Sequence, residues 1–170
     1  MRSLLLLAVL SGGCASTSDR IVAEALRTPL HEAFSVPSNG ATMAPALARL
    51  EARLKAIGVT VTYADLSPDS LAGRTRGDRI EIEQTLAING RLETLAHEAG
   101  HLFQSPTFSN AEGQAFAELV GAEVCARLGW NMDISSGRYL GAYKHGLAGA
   151  LASKVDMERA VRVLLGEESP

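Results

Sequence analysis

The chain has 170 residues, with 16 Lys and Arg against 19 Asp and Glu and a net charge of −3. That length makes one compact domain, able to bury around two thirds of its unfolded surface. No basic stretch runs along it to track a phosphate backbone, so nucleic-acid binding by this chain alone is disfavoured.

Met1-Arg2-Ser3 is a short basic start, residues 4–10 are an unbroken apolar run, and Ser11-Gly12-Gly13-Cys14-Ala15-Ser16 follows. This order resembles a bacterial lipoprotein signal, in which a cysteine after small residues is lipidated and becomes the mature N-terminus. The resemblance implies a signal over residues 1–14, a lipid anchor on Cys14 and a place at the cell envelope. Without such processing the setting is cytoplasmic. The apolar run is too short to span a bilayer as a helix. Residues 15–40 read as a tether with one short helix, capped by Asp19 and ended before Pro29, and a loop over 35–40. His31, in this tether, has no acidic or histidine partner at metal spacing and reads as a surface side chain.

A domain over residues 41–170 begins with a helix that Thr42 can cap, running through Ile57 with Leu47, Leu50, Leu54 and Ile57 on one face and Gly58 as its stop. Residues 59–62 are β-branched and, with Tyr63, predict a strand. A loop with Pro68, Gly73 and Gly77-Asp78 leads to residues 79–83, whose strict alternation puts Ile80 and Ile82 on one face. After Asn89-Gly90 comes a helix ending near Gln104, before Pro106. Ser109 or Asn110 starts the next, which runs to about Leu128 with Gly129 as stop. Caps at 133–136 predict a helix over 137–152, and Asp156 can cap a last one through Leu165. The fold class is therefore α+β, with short strands followed by a mostly helical half. Cys125 falls inside a helix; with Cys14 lipidated it has no partner and reads as a small buried hydrophobe.

Residues 97–101 read His-Glu-Ala-Gly-His. On a helix, His97 and His101 share a face about 6 Å apart along the axis, so both imidazoles can reach one metal ion. Tetrahedral Zn²⁺ accepts imidazole nitrogen readily, and a catalytic site keeps one position open for water. Glu98 stands where it can take a proton from that water. Leu92, Leu95, Ala99, Leu102 and Phe103 form an apolar stripe at helical spacing, the helical context this chemistry needs. A third ligand must come from elsewhere, and a carboxylate of the following helix is the economical source. If that helix returns antiparallel, its second turn lies level with the histidines, which favours Glu118, flanked by the small residues Ala115, Gly121 and Ala122. Glu112, Glu123 and His145 stay open as alternatives.

Residues 78–165 resemble the zincin-like metallopeptidase domain of ArdC-type antirestriction proteins and of polyvalent proteins of phages and conjugative elements. The matching pieces are Asp78-Arg79-Ile80-Glu81-Ile82, Glu93 to His101, Ala117-Glu118-Leu119, Cys125 to Gly129, Tyr139 and Tyr143, and Ser153-Lys154. A looser similarity to the metallopeptidases of phage-repressor control covers the strand and the histidine helix. The resemblance implies a zincin-like fold and supports Glu118, which falls on the last Glu of the family's Glu-Glu-Leu-Val-Ala-Glu stretch. The family's earlier acidic pair falls on Gly113 and Gln114, and its single-stranded-DNA-binding domain has no counterpart. Tyr139, shared with the family pattern, is the favoured donor to a developing oxyanion. The strand at residues 80–82 offers an edge for an extended peptide.

The expected function is zinc-dependent peptidase activity on a peptide or protein substrate, with His97, His101 and Glu118 on the metal and Glu98 and Tyr139 catalytic. The alternative is a zinc-containing, non-catalytic binding or inhibitory module, anchored at the envelope. A third reading is an envelope-anchored assembly protein whose site has decayed.

Overall fold

A computed structural model describes residues 43–132 and 139–170. The signal, the tether, Cys14, His31, Thr42 and the caps expected at 133–136 lie outside them. The order is α1 (Ala44–Ala56), β1 (Thr60–Ala64), a short 3-10 turn, β2 (Gly73–Arg76), β3 (Arg79–Glu83), α2 (Ile88–His101), α3 (Asn110–Arg127), a helical turn at 139–142, α4 (Leu147–Ala152) and α5 (Lys154–Leu165). The class is α+β, with one small mixed sheet among the described residues.

α1 buries Ala46, Leu47, Leu50 and Leu54 at helical spacing, while Ile57 lies just past its end and is only partly buried. Met43, not a hydroxyl residue, stands at its N-cap. Pro45 fits there because a first-turn N–H has no intrahelical partner. Both expected stops, Gly58 and Gly129, have positive φ.

The sheet runs β1-β3-β2, with β1 parallel and β2 antiparallel to β3. Ile80 and Ile82 are fully buried, as their alternation predicts. Two expectations fail here. The stretch read as loop contains β2, which pairs with β3 across the Gly77-Asp78 turn. β3 is consequently the middle strand, bonded on both sides, and offers no edge; among the described residues the unpaired edge near α2 belongs to β2. The loop before β2 is tied down by Glu83, 6% exposed, which accepts the N–H of Leu66 at 2.5 Å and of Thr85 at 2.8 Å.

α2 begins one turn earlier than its Asn89-Gly90 signal suggests and ends at His101 rather than Gln104. α3 starts as expected, with Ser109 and Glu112 forming a reciprocal capping box. Its core segment, residues 115–122, is buried without a break, because α2, α4 and α5 all pack on it. Cys125, on this helix, is fully buried, and burial pushes its thiol well above the ordinary range. The helix expected over 137–152 is interrupted by a turn at 143–146, where Gly146 meets the backbone of Ala111. α5 starts at Lys154 with Ser153 as N-cap, and Asp156 lies in its first turn.

The fit of α2 on α3 sets the site. A Cβ on Gly100 would lie 2.7 Å from Ala117 Cα, and one on Gly121 would lie 2.8 Å from the His97 nitrogen. Each is a backbone contact, so the helices touch main chain to main chain. Residue 100 opposite 117 and 97 opposite 121 also define an antiparallel register.

Candidate functional site

His97, Glu98 and His101 bring one ligand atom each to within 4.8 Å of one another. They come from the last turns of α2, and Glu98 is 8% exposed. The rings of His97 and His101 stand edge to face with centroids 4.9 Å apart.

Each imidazole is held by an oxygen at the same ring atom. His97 Nδ1 is 2.7 Å from Glu118 Oε2, and His101 Nδ1 is 2.8 Å from Gln104 Oε1. A carboxylate and an amide carbonyl only accept, so each Nδ1 carries the proton and each neutral ring presents its Nε2 lone pair. Burial opposes protonation of His97, but the bonded Glu118 carboxylate, with Glu98 and Gln114, outweighs it and raises the imidazole above its ordinary pKa. Burial, with the neighbouring His97, holds His101 below its own.

Glu98 accepts the Thr75 hydroxyl at 2.8 Å, and the same hydroxyl lies 2.8 Å from the Glu98 carbonyl. β2 thus reaches the motif from the side opposite α3. Tyr139 packs edge-on to His97 with centroids 5.2 Å apart and donates its hydroxyl to Gln114 Oε1 at 2.6 Å. Tyr143 stacks against Tyr139 at 5.1 Å, the shared face that the four-residue spacing predicts. Burial, with Tyr143 and Glu118, raises the Tyr139 phenol far above its usual pKa, so it stays an O–H donor.

The other candidates for a third ligand are placed elsewhere. Glu112 Oε2 caps α3 through the Ser109 N–H at 2.8 Å and hydroxyl at 2.7 Å. Glu123 pairs with Arg127 at 3.0 Å, and His145 is exposed. Glu118, 5% exposed, is the candidate that reaches a histidine.

A cleft of about 500 Å³ opens over His97, with Gly73 of β2, Thr94, Glu98, Glu118 and Tyr139 among its lining. Glu93 also lines it; burial raises its pKa, against the Trp130 indole N–H that it accepts at 2.7 Å. A second cleft lies over His101, between β2 and Gln104.

Sequence reasoning missed Thr75 and Gln104, and it noted Gln114 only as a departure from the resembled family. Gln104 had a local signal, since it follows His101 by three residues on the same side of the chain. Its side chain passes over Gly113, where a Cβ would lie 2.7 Å from its Oε1. Gln114 had one in the resemblance, which sets the family's acidic pair on Gly113 and Gln114; Thr75 had none, because only the tertiary register brings it in. Among known proteins, no family model, no curated protein and no solved structure matches the chain.

Proposed function

We propose that this protein is a zincin-like, zinc-dependent peptidase. His97 and His101 bind the metal with a third donor from α3, for which the sequence favours Glu118, and Glu98 is the general base. The observation that carries the reading is the convergence of His97, Glu98 and His101 within 4.8 Å beside a cleft. The residues fit zinc, which takes imidazole nitrogen and carboxylate oxygen, and both rings are fixed at Nδ1, which leaves Nε2 as the atom each would turn to a metal. When bound, zinc supplies Lewis acidity and brings the pKa of water to about 7.

The chain's own groups supply the rest. Glu98 accepts the proton of the attacking water, and Thr75 keeps its carboxylate in one orientation. Tyr139, which donates its O–H to Gln114, would turn that donor to the oxyanion that develops on the scissile carbonyl. The free edge of β2, beside the cleft, suits an extended peptide, which adds to a sheet through main-chain hydrogen bonds.

Glu98→Gln tests the mechanism because it keeps the size of the side chain and removes the base. The variant is expected to bind zinc as the wild type does and to lose at least about 10²-fold in turnover of an unfolded protein substrate. Unchanged proteolysis would sink the mechanism.

A second reading is favoured by one observation. A neutral amide, Gln114, stands in contact with His97, where the resembled family carries acid. A wild type that binds zinc stoichiometrically and cleaves nothing in an unfolded-protein panel supports a non-catalytic zinc module.

A further inference from the structure

We infer that the third metal-facing donor is the amide oxygen of Gln114, and that Glu118 acts as the positioning residue for His97. This deepens the zinc reading above and rests on it.

Glu118 is already committed. Its Oε2 lies 2.7 Å from His97 Nδ1, the ring atom turned away from Nε2, and its side chain is buried there. A carboxylate on the second nitrogen of a ligating histidine fixes the ring and raises its basicity. Gln104 does the same for His101 at 2.8 Å. The two histidines therefore have matching supports, and a donor is still needed on the Nε2 side.

Gln114 is one turn before Glu118 on the same face of α3. A metal shared by His97 and His101 has to sit where the cleft over His97 meets the cleft over His101. Of the residues of α3, Gln114 is the one that lines both. Glu98, the proposed base, also lines both. The Gln114 side chain bonds to the His97 ring and accepts the Tyr139 hydroxyl at 2.6 Å. Glu118 already holds Nδ1, so the contact with His97 lies on the Nε2 side, where the missing donor is needed. The Tyr139 hydroxyl uses one Oε1 lone pair, and a cation would take the place of the imidazole on the other.

Two imidazoles and an amide make a donor set with no charge of its own, whereas two imidazoles and a carboxylate carry −1. A neutral oxygen donor attracts the cation less strongly than a carboxylate, so this donor set is expected to hold zinc less firmly. A single substitution, Gln114→Glu, restores the charge without changing the length of the side chain.

The test is a zinc competition titration on the full chain, comparing wild type with Gln114→Glu and Glu118→Gln, each checked for native helix content. Gln114→Glu is expected to tighten zinc binding at least about tenfold. Glu118→Gln is expected to weaken it about 10- to 100-fold while still taking up one equivalent, as loss of an orienting partner does. Loss of stoichiometric zinc in Glu118→Gln, with affinity unchanged in Gln114→Glu, overturns the assignment and makes Glu118 the ligand. No zinc uptake by either the wild type or Gln114→Glu overturns the zinc reading itself.

Discussion

The α2–α3 pair and the three-stranded sheet flank the same site, yet they are held together in opposite ways. The helices meet backbone to backbone at Gly100 and Gly121, with no side chain between them to adjust. The sheet side, beyond its backbone ladder and the buried Ile80 and Ile82, is tied by polar side chains: Glu83 to the Leu66 and Thr85 amides, Arg74 to Glu81, Thr75 to Glu98. Close-packed backbone has no means of relaxing, whereas a bonded side chain can be lost one bond at a time. Register at the site is thus a property of the helix pair, and the sheet contributes orientation.

The strongest way to break this contrast is Gly121→Val. Its added carbons would enter the His97 backbone, so the helices must part. We expect a loss of roughly 3 kcal/mol, at the upper end for overpacking, together with loss of zinc uptake. Urea denaturation and metal analysis check both, and a variant as stable as the wild type would refute the tight contact.

Glu83→Gln probes the sheet side and carries a pH signature. The backbone N–H of Thr85 and of Leu66 hold the Glu83 carboxyl below its usual pKa. A depressed folded pKa means stabilisation that is full above the unfolded value, about 4.3, and is lost as pH falls through the folded one. The variant is therefore expected to be less stable than the wild type at neutral pH, by less than Gly121→Val, and the gap should close in acid. Denaturant midpoints at a series of pH values measure it; a gap that ignores pH contradicts the account.

Thr75→Val is the mildest. Valine suits a strand and fills the same space, so only the hydroxyl's bonds to Glu98 go, worth about 1 kcal/mol. Under the peptidase proposal turnover falls while zinc affinity holds, and parallel losses in both would mean that Thr75 shapes the metal site instead.

The same contrast explains what could be read from the chain. Local chemistry announced the start of α3 at Ser109 or Asn110, the alternation at Ile80 and Ile82, and the four-residue spacing of His97 and His101. Each of these is complete within a few residues. β2 was illegible because Gly73-Arg74-Thr75-Arg76 has no apolar alternation; its pairing with β3 makes it a strand. The break at 143–146 was hidden for a similar reason, as it depends on Gly146 meeting Ala111. Glu118 could be placed level with the histidines from helix geometry alone. Which ring atom it would reach depends on the offset fixed at Gly100 and Gly121, and no stretch of sequence carries that offset.

Cys125 gives the buried helix a chemical clock. Its thiol is neutral and sealed inside α3, seven residues beyond Glu118. Alkylating reagents need an exposed thiolate, so modification of Cys125 proceeds only through conformations in which this part of α3 has opened. In a Cys14→Ser background, the rate of labelling under native conditions counts those openings, and its slowing by added zinc measures how far an occupied site restrains the helix that supports it.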